Sequence, residues 1–146
     1  MKRVFVPAMF AMAMFLSPWV AAAGERPSAL IYKTPQCGCC ESYADYLRKN
    51  GFKVTVVPTH DLNPMKRKLG VPEGFEGCHT MLIDKYVVEG HVPVAAVDKL
   101  LAERPDIKGI SLPGMPQGSP GMSGIKQAPF QIYQFGQEAP KVYAVE

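Results

Sequence analysis

Ala29-Leu30-Ile31-Tyr32-Lys33-Thr34-Pro35-Gln36-Cys37-Gly38-Cys39-Cys40-Glu41-Ser42-Tyr43 is the stretch that decides the fold. Its first four residues form an apolar, strand-forming run stopped by Thr34-Pro35, which predicts a buried first strand. The segment from Cys39 to Asn50 contains neither Pro nor Gly. Tyr43, Tyr46 and Leu47 take the i, i+3, i+4 spacing of one apolar helical face, and Gly51 closes the helix. A strand thus gives way to a helix where three of the four cysteines fall within four residues.

Working outward, Lys53 to Pro58 alternates as a second strand, and the helix between the two strands is long enough for a parallel crossover. Asn63-Pro64 reads as an N-cap with Pro at the first helical position, opening a short helix from Met65 to Leu69 that Gly70 and Pro72 end. Met81 to Asp84 and Val87 to Glu89 read as a hairpin turning at Lys85-Tyr86. Pro93 opens a last helix whose Val94, Val97 and Leu101 share a face, and Arg104-Pro105 ends it. This β-α-β-α-β-β-α order is that of the thioredoxin fold in its smallest, glutaredoxin-like form. Residues 109–146 form a C-terminal extension. A Pro- and Gly-dense loop with two methionines runs from Leu112 to Met122, and two short strands are expected at Phe130 to Phe135 and Val142 to Val145.

Lys2 and Arg3, an apolar run from Val4 to Leu16, and Ala21-Ala22-Ala23 read as a secretory signal peptide over residues 1–23. Pro7, Ser17 and Pro18 keep that run below the roughly 20 residues that span a bilayer. The domains expected are therefore a leader, a thioredoxin-like unit over 24–108 and an extension over 109–146 that packs on the same unit. Losing Lys2 and Arg3 lowers the net charge from +3 to +1, which argues against a nucleic-acid partner. Lys66-Arg67-Lys68 reads as a solvated helix face. No Ser-His-Asp order, phosphate-cradling Gly loop or carboxylate pair stands out.

Cys37 and Cys40 have C-x-x-C spacing at a strand-to-helix junction, where backbone N–H groups and the helix dipole lower a thiol pKa. As a catalytic pair, Cys37 would attack and Cys40 resolve a disulfide. Cys39 is surplus to that chemistry, and a vicinal bridge to Cys40 is geometrically unfavourable. Converging thiolates instead select soft metals: Cu(I), zinc or iron-sulfur clusters.

Cys78 precedes the third strand, in the loop that faces the C-x-x-C turn in a thioredoxin-like fold and there carries a cis proline. No proline occurs between Pro72 and Pro93, so Cys78, His79 or Thr80 takes that place, and a fourth sulfur joins the cluster. His79 is the leading nitrogen candidate. His60 reads as a cap or a solvent-facing residue, and His91 as structural, at the far end of the hairpin. Met115 and Met122 lie in the Pro-Gly loop, where they serve either as thioether ligands suited to Cu(I) or as apolar anchors.

Taken together, the leader, Tyr32-Lys33-x-Pro35-x-Cys37-x-Cys39-Cys40, Gly77-Cys78-His79-Thr80, Gly90-His91-Val92-Pro93 and the Pro113-to-Met122 loop resemble the CopG-type family of bacterial periplasmic copper-resistance proteins. The resemblance implies a thioredoxin domain with a metal-binding extension and a cysteine-bridged copper cluster. It also implies interconversion of Cu(I) and Cu(II) beside an efflux system. Metal ligands are then expected among Cys37, Cys39, Cys40, Cys78, His79, Met115 and Met122. The partners expected are copper ions and periplasmic efflux or chaperone proteins, for a chain that works as a monomer. Its possible enzyme activity is that of a copper oxidoreductase. Thiol-disulfide exchange, a copper chaperone or sink without turnover, a four-cysteine zinc site and a pair of structural disulfides are the competing readings.

Overall fold

The computed structural model describes residues 26–146; the signal-peptide expectation lies outside them. Ten elements follow in order: β1 (Ala29–Lys33), α1 (Gly38–Lys49), β2 (Val54–Pro58), α2 (Leu62–Lys68), β3 (His79–Ile83), β4 (Tyr86–Glu89), α3 (Val94–Glu103), β5 (Gly109–Ser111), β6 (Gln131–Phe135) and β7 (Lys141–Val145). The strands make one seven-stranded sheet in the order β2-β1-β3-β4-β5-β6-β7. β1 pairs parallel with β2, as the intervening helix requires, and antiparallel with β3.

α1 buries Cys40, Tyr43, Ala44 and Leu47, an i, i+3, i+4, i+7 stripe, against the core. It ends at Asn50, and Gly51 follows at φ 86°, a left-handed position that a residue with a Cβ reaches only at a cost. The core runs continuously through Ile31, Tyr43, Leu47, Met81, Val88, Val97, Leu100 and Ile110 to Phe130 and Ile132, so the extension contributes side chains to the same interior.

Several expectations change. The second helix begins at Leu62 with Asp61 as its N-cap residue, not at Met65 with Asn63 capping. Pro64 therefore sits within the first turn, where its missing N–H has no intrahelical partner to lose. The buried face of that helix carries Leu62 and Lys66, so Lys66 is not part of a solvated basic run. The hairpin turns at Asp84-Lys85, with Asp84 at φ 52°, one residue before the expected turn. In α3 the fully buried positions are Ala96, Val97 and Leu100, while Val94 and Leu101 pack at the margin. β5 is an addition: Gly-Ile-Ser is too short to alternate visibly, yet it pairs parallel with β4 and antiparallel with β6. No helix among the described residues is long and apolar enough to cross a membrane.

Candidate metal centre

The strand-to-helix junction places the thiols. Cys37 is the N-cap residue of α1 at φ −76° and ψ 97°, and its N–H donates to the Thr34 carbonyl at 3.1 Å. This tight turn is held from below by buried Lys33, whose ammonium donates to the Thr34 and Pro35 carbonyls at 3.3 and 3.2 Å and pairs with Glu41 at 3.1 Å. Cys39 and Cys40 follow on the first turn of α1, Cys39 half-buried and Cys40 fully buried. Cys78 arrives from the residue preceding β3.

Cys37 and Cys40 form a disulfide with their Cα atoms 5.5 Å apart, and Cys39 and Cys78 are free thiols. The Cys39 sulfur lies 3.5 Å from that of Cys37 and 3.7 Å from that of Cys78; the Cys40 sulfur lies 3.5 Å from Cys78 Sγ. All four ligand atoms fall within 4.8 Å of one another. Two sulfurs bound to one tetrahedral ion at about 2.3 Å are about 3.8 Å apart, so the free thiols already stand near chelating separation.

No peptide bond among the described residues is cis, and Cys78 lies in the loop against α1. Its own carbonyl lies 3.6 Å from the disulfide-bonded Cys40 sulfur. A close backbone approach makes room for this arrangement. A Cβ on Gly77 would come within 2.5 Å of the Gly90 Cα, so two glycines let the start of β3 and the end of β4 meet.

That approach also brings in a residue the sequence reading set aside. His91 is fully buried with its Nε2 2.9 Å from Cys78 Sγ, a position at the centre and not at the far end of the hairpin. Its Nδ1 lies 2.6 Å from the Pro120 carbonyl. A carbonyl only accepts, so Nδ1 carries the proton and Nε2 turns its lone pair toward the sulfur. Metal-ligating imidazoles are commonly oriented in this way. The signal for His91 was the Gly90-His91-Val92-Pro93 segment, together with a hairpin register that places it opposite Cys78.

His79 is buried behind Cys78, with Nδ1 3.5 Å from that sulfur, and its Nε2 has no hydrogen-bond partner. Cys78, His79 and His91 thus form a second ligand group overlapping the first at Cys78. Tyr43 completes a ring cluster, its centroid 4.6 Å from His79 and 5.3 Å from His91, and its hydroxyl donates to the Val92 carbonyl at 2.8 Å. His60 is exposed.

Burial shapes the charges. Desolvation, then the fields of His91 and Lys66, hold His79 well below the ordinary imidazole pKa. Desolvation likewise lowers His91, against the opposing pull of Pro120. Both rings are therefore neutral, the ligating form. Burial, with Cys39 beside it, pushes the Cys78 thiol up to about 12, while Lys66 acts in the opposite direction. An electropositive metal would overcome that cost, since a coordinating thiol is deprotonated outright.

The extension loop reaches the cluster through Pro120, which accepts from His91, and through Gly121. A Cβ at Gly121 would meet Tyr43 N at 2.6 Å and Cys39 O at 3.0 Å, so the loop lies directly on the first turns of α1. Met122, next in sequence, is half-buried, and Met115 is 41% exposed with φ 46°. The loop thus comes to the site, with Met122 adjoining its point of contact and Met115 on its outer side.

Among known proteins, the family model described as "Protein of unknown function, DUF411" matches residues 75–122, which include Cys78, His79, His91, Met115 and Met122. Comparison with curated protein sequences gives no significant match. Two solved structures match, described as "Copper resistance protein copG- Form 2" and "Copper resistance protein copG- Form 1". The first is 40% identical with a TM-score of 0.77, covering 84% of this chain and 99% of that one. The second is 41% identical with a TM-score of 0.75, covering 84% and 98%. With a cysteine cluster able to hold a metal and identity at this level across nearly the whole of both structures, the chain belongs to the CopG copper-resistance protein family.

Proposed function

We propose that this chain is a periplasmic copper-binding protein of copper resistance that holds copper in a thiolate-bridged cluster and interconverts Cu(I) and Cu(II). The observation that carries the proposal is the convergence of four cysteine sulfurs within 4.8 Å, a donor set whose softness favours Cu(I). Cys37, Cys39, Cys40 and Cys78 are the bridging thiolates, and His91 and His79 supply nitrogen beside Cys78. Met122, and more distantly Met115, offer thioethers from the extension loop. The β1-to-α3 portion is read as a thioredoxin-like core over 24–108, completed by the extension over 109–146. A leader over 1–23 directs the chain to the periplasm, where copper efflux or chaperone proteins are its partners and it works as a monomer.

The disulfide favours a second component of the same reading, in which Cys37 and Cys40 act as the catalytic pair. Their oxidation releases two electrons, so two Cu(II) ions accept one each: the two thiolates join as one disulfide and two Cu(I) ions form. Cys39 and Cys78 remain as thiols. If instead the pair exchanges disulfides with other proteins and copper is incidental, activity survives loss of Cys39 and Cys78.

The test uses fully reduced mature protein under anaerobic conditions. Added Cu(II) is expected to yield two Cu(I) per Cys37–Cys40 disulfide, counted with a Cu(I) chromophore and by mass spectrometry of alkylated peptides. Less than one copper bound per chain, with disulfide reductase activity intact in Cys39→Ser and Cys78→Ser, would overturn the copper reading in favour of thiol exchange. Copper that stays in one oxidation state through reductant and oxidant would leave a chaperone or sink.

A further inference from the structure

Lys66 of α2 and Glu89 at the end of β4 are 3% and 0% exposed and form a buried ion pair. The ammonium donates to the Gly77 carbonyl at 3.2 Å, to Thr80 Oγ1 at 3.1 Å and to Glu89 Oε1. The carboxylate in turn accepts from the Gly77 N–H at 2.7 Å and from the Thr80 hydroxyl at 2.7 Å. Gly77 therefore gives both of its backbone groups to the pair, and Thr80 both donates and accepts. These two residues bracket Cys78 and His79.

A buried ion pair is a weak source of stability, because desolvating the two charges consumes most of their attraction. A fully satisfied polar network does, however, define one geometry among those a loop could take. Here the geometry defined is that of the one cysteine remote in sequence from the N-terminus of α1. Leu62, one helical turn earlier, fills the same buried face with carbon.

We propose that the Lys66–Glu89 pair is a positioning device for Cys78, holding the residue preceding β3 so that the fourth sulfur closes on the three of α1. The inference rests on the copper reading above and deepens it. Without the pair, the three thiols of α1 still bind metal, and Cys78 no longer contributes.

The experiment is a double-mutant cycle on reduced, mature protein, with Cu(I) affinity read by competition against a chromophoric Cu(I) chelator. In the native background Cys78→Ser is expected to lower affinity about 30-fold, within the range for losing a group that supports a metal site. In the Lys66→Met/Glu89→Met background the same Cys78→Ser change is expected to cost less than about threefold, the two effects being strongly coupled. Copper X-ray absorption supplies a signature that general destabilisation would not move: fewer sulfur neighbours per copper, matching those of Cys78→Ser. The apolar pair replaces charge with carbon of similar reach, and its metal-free melting curve shows whether it folds. Glu89→Gln, which keeps a Gly77 acceptor, is the milder variant and is expected to show an intermediate coupling. An equal loss on Cys78→Ser in all backgrounds would overturn the positioning role while leaving the copper reading standing. A native affinity indifferent to Cys78→Ser would likewise overturn the positioning role alone, whereas native protein that binds less than one copper per chain would overturn both.

Discussion

The Pro120 carbonyl, 2.6 Å from His91 Nδ1, decides which imidazole nitrogen can meet a metal. His91→Gln is accordingly expected to weaken Cu(I) binding about 10- to 100-fold, measurable by chelator competition. The neutral burial of His79 makes a separate prediction for metal-free protein. Its folded pKa lies below its unfolded value of about 6.5, so the unfolded state takes up the proton first. Stability is then fully present above about pH 6.5 and is lost as pH falls below it, by up to about 1.4 kcal/mol per pH unit. Denaturant titrations between pH 7 and 5 are expected to show a steeper loss in the native protein than in His79→Gln; equal slopes would refute the assignment. At this scale the four cysteines were legible, because C-x-C-C spacing and the loop preceding a third strand are both readable from order alone. His91 was not, because a turn drawn at Lys85-Tyr86 puts Pro93 opposite Cys78, whereas the actual pairing of Thr80 with Glu89 puts His91 there. Lys66 was hidden by its neighbours, since three basic residues in a row resemble a solvated face until the helix is known to start at Leu62.

α1 and its N-cap residue carry three of the four cysteines, so its seating sets the metal centre. Tyr43 docks it, with a buried hydroxyl on the Val92 carbonyl just before α3. Tyr43→Phe leaves that acceptor unpaired and is expected to cost about 1–3 kcal/mol in chemical denaturation. On its outer side α1 is covered by the extension loop at Gly121, where φ is +82° and a Cβ would strike Tyr43 backbone at 2.6 and 2.9 Å. Gly121→Ala is expected to destabilise the fold by about 1–3 kcal/mol and to lower copper affinity, because lifting the loop withdraws Pro120 from His91. A variant that binds copper as the native protein does would show that the loop is dispensable to the site. The helices and most strands could be read from periodicity and from Pro and Gly punctuation. The loop's route over α1 could not, since Pro and Gly density says that a segment is not regular and says nothing of where it lies.

Across the whole molecule, one sheet joins the thiol-bearing half to the extension, and the seam is β5. Ile110 enters the shared core, yet three residues leave no periodic trace, so the strand linking the two halves was the one missed. Phe130 and Ile132 then anchor β6 in the same interior. The run Tyr86-Val87-Val88-Glu89 in β4 is buried at every position, with β3 on one side and β5 on the other. A chain ending at Lys108 would bare one full edge of that strand, apolar and rich in residues that favour pairing, which is the template on which separate chains add to one another. Residues 24–108 expressed alone are expected to elute as aggregates in size-exclusion chromatography; a monomer that unfolds cooperatively would refute this. The extension that lays Pro120 against His91 thus also covers the β4 edge, on which copies of the shorter chain would add.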